Sequence, residues 1–211
     1  MNVISKAWDG TGWVPRAFPY LREPRLKMRS ELIDALREML KTQQFDHIHI
    51  REITDRAGIS YSSFYRHYAT KEALLGDLVK TQVARLIVAG LPLAYAHHRR
   101  ESCRVVCAQV LESQDLWRGL LSGGAAHMLR EEFVRQIMRL KGHPGLVGFL
   151  PEEVHLACAT GATLNVLAWW LSQKPMAPIE IAADKMCEII TVIEASSAGE
   201  RLDRLEAANA A

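Results

Sequence analysis

The chain has 211 residues, 49% of them hydrophobic and 24% charged, which is enough chain and enough apolar side chain for a packed core and excludes disorder over most of its length. No run approaches the ~18 apolar residues of a membrane-spanning helix, the opening residues lack the apolar core of a secretory leader, and four scattered cysteines make no disulfide framework, so a reducing cytoplasm is the expected compartment. The net charge is only +2, but residues 1–80 hold 13 Lys/Arg against 10 Asp/Glu and the remainder 13 against 14, so the basic surplus sits at the N-terminal end and points weakly to an anionic partner there.

Residues 1–24 carry Pro15, Pro19, Pro24, Gly10 and Gly12 and no helical period. Their aromatic content predicts an irregular arm packed on something rather than a plain solvated tail. Apolar residues then recur at Leu32, Ile33, Leu36, Met39 and Leu40, which predicts a first helix over about 30–42 with Ser30 as its N-cap. A second helix is expected over about 51–57, ended by Gly58 in a left-handed conformation. Ser60 then caps a third over about 61–67, with Phe64 and Tyr68 turned inward. Thr70 caps a fourth, which continues through Leu86 and stops by Gly90-Leu91-Pro92.

Two short helices joined by a glycine-containing turn have the form of a helix-turn-helix. The outer residues of the third helix are Tyr61, Ser62, Ser63, Tyr65, Arg66 and His67. All of them donate or accept hydrogen bonds and none is acidic, which suits a helix entering the major groove of DNA.

The run I-H-I-R-E-I-T-D-R-A-G-I-S-Y-S-S-F-Y-R-H-Y-A-T-K-E-A-L-L, from Ile48 to Leu75, resembles the DNA-binding domain of the tetracycline-repressor (TetR) family of bacterial transcription regulators. The resemblance implies an all-α fold: a three-helix helix-turn-helix head over 25–75, a helical effector-binding and dimerisation body over 76–197, and a tail over 198–211. It implies that Tyr61, Ser62 and Ser63 face base edges, that Tyr65 and His67 contact phosphates or nearby bases, that Lys71 matches the phosphate-binding lysine, and that Arg51 touches a base or phosphate. Tyr61 stands where many members carry Lys or Arg, which leaves the base preference open.

In the body, helices are expected from Arg104 to Leu111, around Trp117, and from about 125 to 140, followed by a loop marked by Gly142, Pro144, Gly145 and Gly148. A long helix from Pro151 is apolar over much of its circumference, so it should be buried on more than one face. A last helix after Pro178 carries Ile181, Ala182, Met186, Ile189, Ile190 and Ile193 at helical spacing. The resemblance makes these two helices, about 151–172 and 178–195, a homodimer interface, so that two heads address a palindromic operator in double-stranded DNA. It also implies an unidentified small-molecule effector whose binding moves helix four and releases the DNA. Tyr95, Trp117, His127, Met128, Phe133 and Trp169 are candidates for a mostly apolar pocket, although core packing is the simpler role for each.

Neither a cofactor nor a metal is expected. His97, His98, Cys103 and Cys107 lie close in sequence, but their spacing suits no zinc site and neighbouring arginines repel a cation. Those arginines would lower a thiol pKa, which leaves a redox-sensing Cys103 or Cys107 as an alternative. A dimeric interaction module that has lost DNA binding is a second alternative. No enzyme motif occurs, and His127 with Glu131 reads as a surface pair four residues apart.

Overall fold

The computed structural model describes residues 27–95, 98–139 and 152–193, with the backbone alone at 91–95, 152–153 and 155. The expected N-terminal arm, the 142–148 loop and the C-terminal tail lie outside these residues. All regular structure among the described residues is helical.

α1 spans Lys27–Leu40 and turns Leu32, Ile33, Leu36, Met39 and Leu40 into the core. Ser30 is not its N-cap. It sits a turn inside α1, and its hydroxyl donates to the Lys27 carbonyl at 2.7 Å. The added first turn is held by tertiary contacts: Met28 and Arg29 reach residues that precede or belong to the fourth helix. A 3-10 turn at Phe45–His47 leads into α2, Ile50–Ala57. The Glu52 carboxylate accepts the His49 amide at 2.8 Å and so closes the start of α2.

α2 ends on Gly58 at φ +65. The Gly58 amide donates to the Asp55 carbonyl (3.3 Å) and the Ile59 amide to that of Thr54 (3.0 Å), the paired bonds of a Schellman cap. The Ser60 hydroxyl accepts the Ser63 amide at 3.2 Å and starts α3, Tyr61–Phe64. α3 is shorter than the expected 61–67. Beyond Phe64 the chain tightens, with the Arg66 and His67 amides donating three residues back.

α4 spans Lys71–Tyr95, and the Thr70 hydroxyl caps it by accepting the Ala73 amide at 3.1 Å. It runs through Gly90-Leu91-Pro92 rather than stopping there. Gly90 is a packing residue: a Cβ at this position would lie 2.7 Å from Val106 Cγ2 and 3.2 Å from Ser102 Oγ. Its carbonyl accepts the Ser102 hydroxyl at 2.8 Å. The glycine thus lets the next helix cross closely, and Pro92 is tolerated near the end of a helix already tied to its neighbour.

The body continues with α5 (Arg99–Leu111), α6 (Gln114–Leu120), α7 (Gly123–Met138), α8 (Glu152–Ser172) and α9 (179–193). α4 is its spine, flanked by α5 and α7. Trp117 on α6 and Trp170 on α8 are fully enclosed, and the Trp170 indole donates to the Ala177 carbonyl at 2.7 Å, closing the α8–α9 connection. Arg100 on α5 holds Asp184 on α9 through two bonds of 2.5 and 3.0 Å.

α8 is less enclosed within one chain than its composition predicts. Val154, Cys158, Asn165 and Trp169 form an exposed stripe along it. On α9 only Ala182, Ala183 and Met186 are fully buried, while Ile181 and Val192 face out with Lys185 and Glu188.

Candidate nucleic-acid interface

The outer wall of the head is a groove of about 900 Å³ where the starts of α2 and α4 meet α3. Its lining includes His49, Arg51, Tyr61, Tyr65, Thr70 and Lys71. Two helix N-termini open onto it, and the partial positive charge of each favours an anion.

Tyr61 and Tyr65 stand out from α3, about half exposed at 53% and 48%. One turn apart, they pack edge to face with centroids 5.3 Å apart, and their hydroxyls lie 3.0 Å apart. Tyr65 is braced in turn by buried Phe64. The bond to Tyr61 raises the Tyr65 phenol pKa, so at neutral pH that hydroxyl keeps its proton. The pair therefore presents a stiff aromatic wall with polar tips. Ser62 is exposed beside it.

Arg51 opens α2 on the facing wall. Its guanidinium is exposed and carries no hydrogen bond or ion pair among the described residues.

Two expected contacts lie elsewhere, and a third, Lys71, lines the groove with its ammonium group tied to main-chain carbonyls. Ser63 is buried, and its hydroxyl is bound to those of Ser60 (2.7 Å) and to the Arg66 guanidinium, so it holds the head's interior rather than facing a base edge. His67 is half-buried with Nε2 3.1 Å from Met28 Sδ, seated against α1. Lys71 Nζ donates to the Ile48 carbonyl at 3.0 Å and the Phe45 carbonyl at 3.1 Å, with that of Asp46 at 3.4 Å. It also lies 4.6 Å from the centre of the Phe45 ring.

Two polar connections join head to body among the described residues. Arg29 on α1, Tyr68 and Asp77 on α4 form a closed set: Asp77 accepts from Arg29 and from the Tyr68 hydroxyl, each at 2.8 Å, and Arg29 Nε donates to Tyr68 at 3.3 Å. Burial raises the Tyr68 phenol pKa and the hydrogen bond to Tyr68 raises that of Arg29, so both groups hold their protons in this set. The second connection is Asp46, from the turn between α1 and α2. Its carboxylate accepts the Gly124 amide at 2.9 Å and thereby caps α7 of the body. A Cβ on Gly123, at φ +55, or on Gly124 would come within 2.6 Å of a carboxylate oxygen of Asp46.

Sequence reasoning passed over Asp46 because its partner is 78 residues away and nothing local marks the pair. Arg66 had a weak signal, a serine three residues before it on the same helix face.

The five effector candidates whose side chains are described are spread over the body. Trp117 is enclosed in the core, and Met128 and Phe133 are half-buried against it. Trp169 is exposed, and His127 faces outward with Nε2 3.3 Å from Glu131. The side chain of Tyr95 lies outside the described residues. The polar feature of the body is instead a buried pair on α7, Glu132 and Gln136. The Gln136 amide nitrogen donates to the Lys80 carbonyl (2.8 Å) and to Glu132 (2.7 Å), which leaves Gln136 Oε1 without a partner among the described residues.

Burial outweighs the neighbouring arginines at the thiols, although Arg99 pulls that of Cys103 down. Arg100 and Arg104 are held by Asp184 and Glu101, and burial pushes the Cys103 and Cys107 thiols up to about 12. No metal-ligating group of three or more His, Cys, Asp or Glu occurs among the described residues, and His97 lies outside them. None of the helices searched is long and apolar enough to cross a membrane.

A tri-helical head with a glycine-turned helix pair and an outward polar α3, joined to a helical body, has the helix-turn-helix form. Residues 32–78 match the family described as bacterial regulatory proteins, tetR family. An uncharacterised HTH-type transcriptional regulator of Bacillus subtilis, YxbF, is 18% identical over 169 residues. That alignment covers 77% of this chain but only 44% of YxbF, so the chain spans less than half the length of that relative. A TetR transcriptional regulator from Streptococcus agalactiae has the same fold, with a TM-score of 0.59 and 22% identity over 80% of this chain and 94% of its own. So does Thermus thermophilus FadR, a TetR-family transcriptional repressor crystallised with lauroyl-CoA, at a TM-score of 0.53 and 18% identity over 77% and 93%.

Proposed function

We propose that the chain is a ligand-responsive homodimeric repressor, acting in the cytoplasm, that binds a palindromic operator and leaves it when a small apolar effector occupies the body. It is a regulator rather than an enzyme. The head over 25–75 carries DNA binding, and the body over 76–197 carries the effector and the dimer contact.

The observation that carries this reading is the groove of the head, where Arg51, without a side-chain partner among the described residues, shares a lining with the Tyr61–Tyr65 pair and two helix N-termini. Arg51 supplies charge, Tyr61, Ser62 and Tyr65 meet bases or backbone, and Ser63 and His67 serve by holding Arg66 and seating α3 against α1.

Dimerisation is supported by the exposed stripes on α8 and α9. Apolar Val154, Trp169, Ile181 and Val192 are left uncovered on two long helices near the C-terminal end of the body. One head offers too few contacts for operator affinity, whereas two related by a two-fold axis fit half-sites one DNA turn apart.

Release requires that the effector favour a body in which the heads no longer match that spacing. The Arg29–Tyr68–Asp77 set and the Asp46 cap of α7 supply two rigid links along which such a shift can travel. Occupancy of the related FadR by lauroyl-CoA supports an apolar effector.

The test is a selection from random duplex DNA at two salt concentrations with the full chain. Enrichment of a palindrome, with affinity falling as salt rises, is the expected result. Recovery of no sequence by a folded, dimeric protein would leave the dimeric module without DNA binding as the better reading.

A further inference from the structure

We propose that Lys71 is a positioning residue for the DNA-facing end of α2, and that the charge offered to phosphate in this groove comes from Arg51 instead. The inference rests on the DNA-binding reading above and changes which cation does the work.

Lys71 has an ammonium group with three donors. It is engaged with the carbonyls of Phe45 and Ile48 at 3.1 and 3.0 Å, with the Asp46 carbonyl at 3.4 Å, and its charge lies over the Phe45 ring. Those carbonyls belong to the turn immediately before α2. A trans peptide points its N–H opposite its C=O, so pulling the Ile48 carbonyl toward Lys71 turns the His49 N–H away from it. That N–H is received by Glu52 at 2.8 Å. The peptide that opens α2 is thus gripped at both ends, and the direction in which Arg51 leaves α2 follows from that grip. To reach a phosphate, Lys71 would have to give up its carbonyl acceptors, whereas Arg51 gives up no side-chain partner among the described residues.

Salt dependence separates the two roles. Each phosphate neutralised adds about 0.9 to the magnitude of the slope of log K against log salt on B-DNA. A residue that acts by positioning lowers affinity without removing a phosphate contact. The probe is a fluorescein-labelled 30-base-pair duplex of mixed sequence, titrated with the full-length protein between 25 and 200 mM KCl.

Arg51→Ala should make the slope shallower by about 0.9 for each head engaged. Lys71→Met, which keeps the stem over Phe45, should weaken binding about five- to tenfold at an unchanged slope. In the free protein, hydrogen exchange at the His49 and Ile53 amides, which donate to Glu52 and to the His49 carbonyl, should rise in Lys71→Met and stay unchanged in Arg51→Ala. Lys71→Gln keeps one donor for the carbonyls and serves if the methionine variant does not fold; it should show the same unchanged slope with a smaller loss of affinity.

A slope shallower by about 0.9 per head in either Lys71 variant, with exchange at His49 and Ile53 unchanged, would overturn the assignment and return Lys71 to phosphate contact. A folded wild type that binds no duplex at 25 mM salt would overturn the DNA-binding reading itself, and this inference with it.

Discussion

Gly119 and Gly76 are both helical glycines, and the same substitution at each should move stability in opposite directions. On α6, a Cβ at Gly119 would stand 2.1 Å from the carbonyl oxygen of Leu40, the last residue of α1, and 3.0 Å from its carbonyl carbon. Both are backbone atoms, so no rotamer relieves the contact. A carbon and an oxygen rest about 3.3 Å apart or more, so α6 must withdraw from α1 by roughly 1 Å. The seam that would open is lined by Leu40, Trp117 and Leu120, each at most 2% exposed. Overpacking of this kind costs about 1–3 kcal/mol, and the better helix propensity of alanine returns at most about 1 kcal/mol.

The net expectation for Gly119→Ala is a loss of about 1–2 kcal/mol, or a midpoint lower by about 2–8 °C for a chain of this size. At Gly76, in α4, the nearest atom to an added Cβ is Met128 Cε at 3.7 Å, an ordinary contact. Gly76→Ala should therefore raise the midpoint by a few degrees through helix propensity alone. Thermal unfolding followed by circular dichroism, at one fixed protein concentration because self-association would shift the midpoint, reads both. A Gly119→Ala protein that melts at or above the wild type would refute the steric argument.

Other expectations follow from the same geometry. Tyr61→Phe and Tyr65→Phe should not be additive in DNA affinity, because each removes one partner of a single 3.0 Å hydroxyl contact; simple additivity in a double-mutant cycle would show that the two phenols act separately. Cys103 and Cys107 should resist iodoacetamide at pH 8 until the chain unfolds, since burial holds both thiols up to about 12; prompt alkylation of either in the folded protein would contradict the packing. The same two thiols keep their protons in the folded state where an unfolded thiol, near 9, has lost them, so they should make stability fall as pH rises above about 9, which urea titrations at pH 8 and 10 on Cys103→Ser and Cys107→Ser variants would resolve. Trp169→Glu with Ile181→Glu should yield a folded monomer by sedimentation with DNA affinity lower by tenfold or more, whereas an unchanged dimer would move the interface off α8 and α9.

Much of the head was legible because its punctuation is local. Gly58, Ser60 and Thr70 act at the helix ends where their residue types place them, each through a bond to an atom within a few residues. The helices of the body were legible from the spacing of their apolar residues. Reading failed where a residue answers to something distant. Ser30 has the type of an N-cap, but contacts from Met28 and Arg29 to the α3–α4 connection and α4 extend the helix past it. Gly90 and Pro92 look like a helix stop, yet the glycine is there for the close approach of α5. Lys71 looked like a free cation because its acceptors are main-chain carbonyls more than twenty residues earlier, invisible to any charge count. The effector candidates were chosen for being aromatic or sulfur-bearing at helical spacing, a property shared by core and pocket, and their scatter over the body reflects that ambiguity.

The seat of α7 on Asp46 bears on how such a regulator can be rebuilt. Exchanging heads between related regulators treats the head as a module joined to the body by one continuous helix. Here the joint has a second half: a carboxylate in the α1–α2 turn fits a body that begins α7 with two glycines, one of them at positive φ. A head with a longer side chain at position 46, or a body with any side chain at 123 or 124, would meet its new partner with a steric conflict far from both the DNA and the effector. Position 46 and positions 123 and 124 therefore form one steric unit, and a chimera that divides them should melt below both parents.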